Sequence, residues 1–164
     1  MGEQSFVLQE IKNYWGGMLK LGATSFWELY DPSNKGAEHY AMYGREFGKS
    51  LCHAWGASPI YLLGKYYLGV KPTSPGYSTY SIEPDLGGLQ WMQGEVPTPA
   101  GNVELYFSTK EMRIKGAGGI GTLRFKSKTR PICKEGTIEK IGADEYVLPI
   151  EKDKTYTVRY TSKN

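Results

Sequence analysis

The chain has 164 residues, enough for one or two small domains. Hydrophobic residues make up 40% and charged residues 23%, an ordinary globular balance, and a net charge of +3 on scattered Lys and Arg argues against a nucleic-acid partner. Cys52 and Cys133 stand far apart with no CxxC and no Cys/His spacing, so both read as reduced thiols and neither a disulfide nor a metal site is expected.

The opening Met-Gly-Glu-Gln-Ser-Phe has no charged start followed by an apolar run, so no signal peptide is expected. Phe6 stands where a myristoylated Gly2 would require Ser or Thr. The apolar stretches are broken by Gly and Lys, which predicts no membrane span. Val7 or Leu8, Ile11, Trp15 and Met18-Leu19 recur every three or four residues, the mark of a helix from about Gln4 to Leu21 with Gly22 as its C-terminal stop. Gly16-Gly17 lowers the local helix propensity, or permits the close approach of a neighbouring helix. A loop rich in Gly, Asp, Asn and Tyr follows from Asp31 to Lys49.

A second helix is predicted from about Leu51 to Leu68, capped by Ser50, kinked at Pro59 and ended by Gly69, with Trp55 and Leu62 on its apolar stripe. Past Pro72-Thr-Ser-Pro-Gly76 the period becomes two. Segments around Tyr80–Ile82, Leu89–Met92, Val103–Phe107, Met112–Ile114, Leu123–Phe125, Ile138–Ile141, Tyr146–Leu148 and Tyr156–Tyr160 alternate between turn residues. That spacing predicts an antiparallel β-sandwich. The fold class is therefore α+β: an N-terminal helical hairpin over residues 1–72, then a β-sandwich over 73–164. Two helices cannot enclose this much aromatic surface, so the hairpin reads as a slice of a larger helical body.

Two segments carry chemistry. Gly22-Ala-Thr-Ser-Phe-Trp-Glu28 ends on a carboxylate beside Trp27, and Ser50-Leu-Cys-His-Ala-Trp55 places His53 two residues before Trp55. Indoles cover the apolar face of a pyranose while a carboxylate and an imidazole address its hydroxyls. Spacing alone leaves open whether Glu28 is such a group or a solvated loop residue. Asp31 and Glu46 read as solvated loop charges, and Trp91 as sandwich core, interface contact or carbohydrate platform.

These two segments, with Tyr67-Leu-Gly-Val-Lys-Pro72, Pro75-Gly-Tyr77, Ile82-Glu-Pro84, Leu89 and Gly94 to Gly101, occur in an order that closely resembles the C-terminal end of bacterial α-L-rhamnosidases, glycoside hydrolase family 78. The resemblance implies the last helices of an (α/α)6 barrel followed by the C-terminal sandwich. It implies that Glu28 is the general base of an inverting reaction and that His53 contacts the sugar. Trp27 lines the sugar pocket or packs to fix Glu28. The segment carrying the general acid lies outside these residues, so the isolated chain is expected to be inactive and its standing as an enzyme is left undecided. The implied partner is a rhamnose-containing glycan or glycoside, met by the parent enzyme in the cytoplasm or periplasm, with no cofactor. The alternative is a carbohydrate-binding or purely structural sandwich. Helices stripped of their neighbours predict a homodimer through the exposed faces.

Overall fold

The computed structural model describes residues 3–162. Met1 and Gly2, on which the myristoylation reading turns, lie outside them. The chain forms two compact units, Met1–Tyr61 and Leu62–Asn164.

In the first unit the expected helix α1 spans Gln4–Lys20 and buries Leu8, Gly17 and Met18. Its end is a paired stop. Gly22 has φ +87°, its N–H donates to the Leu19 carbonyl (3.0 Å), and the Ala23 N–H donates to that of Met18 (3.1 Å). A left-handed glycine closes the last orphan carbonyls at no steric cost. Among the described residues it is the Tyr30 ring, not a neighbouring helix, that meets Gly17. A Cβ on Gly17 would fall inside the Tyr30 ring, while one on Gly16 would meet nothing within 4 Å. The indole N–H of Trp15 donates to the Gly56 carbonyl at 2.7 Å and ties α1 to the later segment.

The second helix departs from expectation. Residues 51–53 are not helical. A 3-10 turn covers Ala54–Ala57, α2 covers only Ser58–Leu62, and a π turn covers Leu63–Tyr67. Pro59 has no N–H and is tolerated only in a first turn, so α2 begins just before it. A Cβ added at Gly56 would lie 2.5 Å from the Trp27 carbonyl oxygen, so only glycine fits there. Ser50 caps nothing, since its hydroxyl turns to the Cys52 carbonyl (3.2 Å).

The second unit is a β-sandwich of two five-stranded sheets. One holds β1 (Val70–Pro72), β2 (Thr79–Ile82), β6 (Ile120–Lys126), β9 (Glu145–Ile150) and β8 (Glu139–Lys140) in that order. The other holds β3 (Trp91–Thr98), β4 (Gly101–Ser108), β5 (Glu111–Lys115), β10 (Thr155–Arg159) and β7 (Ile132–Cys133). Every pairing is antiparallel except β2 with β6, which is parallel. Alternate residues fill the core: Val103, Leu105 and Phe107 on β4, Met112 and Ile114 on β5, Leu123 on β6, Leu148 and Ile150 on β9, Tyr156 and Val158 on β10. That period-two burial is what the sequence pattern encodes. The short strands β1 and β7 were not among the predicted segments. β3 also runs through Pro97, which is tolerated because β3 is an edge strand.

Candidate active site

The two motif segments of the first unit are laid side by side by backbone pairing. The Glu28 N–H donates to the Ser50 carbonyl (2.9 Å) and the His53 N–H to the Phe26 carbonyl (2.7 Å). This extended pairing is why residues 51–53 stay out of a helix. It brings Glu28 and His53 together, with Glu28 Oε2 3.9 Å from His53 Nδ1. The Trp55 indole N–H donates to the backbone carbonyl of Glu28 at 3.0 Å, and its ring lies 4.2 Å from the His53 ring.

The Glu28 side chain is only 4% exposed, yet its carboxylate is well supplied with donors. Oε1 accepts the Tyr43 hydroxyl. Oε2 accepts the Ser50 N–H at 3.2 Å. The Tyr43 hydroxyl holds the Glu28 carboxyl below the usual carboxylate range, against an opposing push from burial. The Ser50 N–H and the charges of His53 and Lys49 add to the lowering. The same hydrogen bond pushes the Tyr43 phenol up. At neutral pH the site holds an anion and a neutral phenol. An ionised carboxylate beside an imidazole, with an indole face next to it, can accept a proton from a water and stack a sugar ring.

The two indoles sit in different surroundings. Trp27 is 3% exposed and packs on Tyr40 (5.6 Å between centroids). Trp55, expected in the core, is 68% exposed beside His53, because the helical stripe that would have buried it does not form. Asp31 closes a local turn by accepting the Ser33 N–H (2.8 Å) and hydroxyl (2.6 Å). Glu46 is exposed. The sequence alone did not place Tyr43, Ser50 or Trp55 against Glu28. A Tyr-Gly pair inside a polar loop was the available signal for Tyr43. Among the described residues no group of three His, Cys, Asp or Glu could hold a metal ion, and no helix is long and apolar enough to cross a membrane.

A helical segment with a carboxylate–imidazole–indole cluster is followed in the chain by a two-sheet sandwich. Residues 69–116, from the start of the sandwich through β5, match the family described as bacterial alpha-L-rhamnosidase C-terminal domain. Two solved structures are similar. The alpha-L-rhamnosidase from Dictyoglumus thermophilum aligns at 21% identity and TM-score 0.65, over 90% of this chain and 17% of that one. The Streptomyces avermitilis alpha-L-rhamnosidase, solved with L-rhamnose, aligns at 16% identity and TM-score 0.67, over 90% of this chain and 15% of that one. At these identities the likeness shows the fold. No curated protein sequence matches the chain. The chain resembles the C-terminal region of a bacterial α-L-rhamnosidase, as its motif order implied. Glu28, His53 and Trp55 lie outside the family match.

Proposed function

We propose that the chain is the C-terminal part of a glycosidase that hydrolyses terminal α-L-rhamnosides with inversion, and that Glu28 is its general base. The observation that carries this reading is the Glu28 carboxylate itself: nearly buried, held ionised, and set beside the His53 ring and the exposed Trp55 indole. In an inverting reaction the base takes a proton from water as the water oxygen attacks the anomeric carbon. An acid on the opposite side, roughly 6.5–9.5 Å away, protonates the departing oxygen. Tyr43 and Ser50 leave each Glu28 oxygen a second lone pair for that water. His53 and Trp55 address the sugar, one by hydrogen bonding and the other by its face. The acid comes from barrel helices outside this sequence, so the chain alone does not turn over an aryl α-L-rhamnoside.

In the intact enzyme, Glu28→Gln lowers kcat by roughly 10²–10⁴ with little change in KM, since a base acts mainly in the transition state. His53→Ala raises KM. A Glu28→Gln variant that keeps kcat within about tenfold of wild type removes the base assignment. A second reading, a glycan-binding sandwich, draws on one observation. Exposed Trp91 stacks on Tyr106 (6.4 Å, 22°), and the Arg113 guanidinium lies 4.3 Å from the Tyr106 ring centroid. Rhamnose binding by the isolated chain that is lost in Trp91→Ala and kept in Glu28→Ala would favour it.

A further inference from the structure

Tyr43 stands at the tip of a tight turn. Met42 and Arg45 exchange both backbone hydrogen bonds, each 3.0 Å, leaving Tyr43-Gly44 as a two-residue loop. Both loop residues are left-handed, Tyr43 at φ +55° and Gly44 at φ +72°. Gly44 accepts that geometry freely, but a bulky aromatic in it is uncommon and strained. The ring is exposed, so packing does not repay the strain. What the turn achieves is to place the Tyr43 hydroxyl on Glu28 Oε1. Strain of this kind, held by the surrounding structure, clusters at functional sites.

Resting on the assignment of Glu28 as base, we infer that Tyr43 is its positioning residue. The hydroxyl of Tyr43 fixes one carboxylate oxygen from the loop side, while the Ser50 N–H holds the other from the opposite segment. The Trp55 indole N–H anchors the same residue by its backbone carbonyl. Two donors from two places in the chain orient the carboxylate, and a third fixes the backbone that carries it. Tyr43 touches no reacting atom; it aims the group that does and keeps it anionic. The charged and titratable groups that face Glu28 are Tyr43, His53 and Lys49. The last is held away by its own bond to the His39 carbonyl at 2.5 Å.

The test is Tyr43→Phe, which removes one O–H and keeps the ring. In the chain itself, the Glu28 carboxyl carbon is followed by NMR across an acid titration, and the Met42–Arg45 amides by hydrogen exchange. The expected result is a Glu28 midpoint moved to higher pH with turn protection unchanged. In the intact enzyme the acid limb of the kcat/KM profile moves the same way, and KM stays in place. A Glu28 midpoint and an acid limb both unmoved by Tyr43→Phe would overturn the inference. The base assignment fails separately, by full activity of Glu28→Gln, and that result leaves the Glu28 titration in the chain untouched.

Discussion

Two adjacent glycines in α1 should respond to the same substitution with opposite sign. Gly16→Ala places a methyl in open space, so it gains the ordinary helix-interior term of about 0.5–1 kcal/mol. Gly17→Ala gains the same backbone term but drives its methyl into the Tyr30 ring. That ring cannot move freely. Tyr14 holds it edge-on (5.5 Å, 86°) and His39 lies flat against it (5.9 Å, 5°). Overpacking costs typically about 1–3 kcal/mol and each lost aromatic contact about 0.5–1.5 kcal/mol. The net for Gly17→Ala is a loss of about 1–2 kcal/mol, so the two neighbours should differ by about 1.5–3 kcal/mol. Urea unfolding followed by helix circular dichroism and tryptophan fluorescence measures this, because Trp15, Trp27 and Trp55 all report on the first unit. Removing the ring with Tyr30→Ala should turn Gly17→Ala from destabilising to stabilising. If Gly16→Ala and Gly17→Ala shift the midpoint equally, the clamped-ring reasoning is wrong.

Three further outcomes are expected. The Cys133 thiol and the Thr157 N–H depress the Glu135 carboxyl. Its contribution to stability is therefore present above the ordinary carboxylate range and lost as pH falls through the depressed value, and Glu135→Gln should flatten the acid limb of a stability–pH curve. Burial pushes the Cys133 thiol up while Cys52 is exposed, so iodoacetamide at mildly alkaline pH should label Cys52 first, and equal labelling rates by mass spectrometry would contradict this. With Phe6, Leu19, Trp55 and Ile60 exposed in the first unit, the chain should dimerise, or its helix amides should exchange before those of the strands. A strictly monomeric chain with equal protection in light scattering and hydrogen exchange would refute that.

The sandwich was legible because its signal is local. Val103, Leu105 and Phe107, or Leu148 and Ile150, announce a buried face by alternation alone. Strands of two or three residues such as β1 and β7 carry too few side chains to show a period. α1 and its Gly22 stop were equally readable. The second helix was not, because its fate is decided by partners distant in sequence: the Phe26 and Ser50 carbonyls claim N–H donors, and the Trp27 carbonyl crowds Gly56. The same non-local pairing exposes Trp55 and buries Trp27, which no periodicity reveals. Glu28 and His53, singled out by their motifs, lie together. Tyr43 was missed because its contact with Glu28 depends on a left-handed turn, whose one trace in the sequence, the Tyr-Gly pair, does not say where the hydroxyl will land.

The parallel pairing of β2 with β6 has a consequence for how the sandwich is made. The chain leaves β2 at Ile82, lays down β3, β4 and β5 of the opposite sheet, and returns at Ile120 to pair Thr79 with Ile120 and Ile82 with Leu123. The β3–β4–β5 meander and the β1–β2 pair can each zip from neighbouring residues, whereas the β2–β6 ladder must wait for a long loop to close. Docking of β1 and β2 should then be the late event of assembly. Conservative core substitutions in β2, such as Ile82→Val, should mostly accelerate unfolding, and those in β4 or β5 should mostly slow folding.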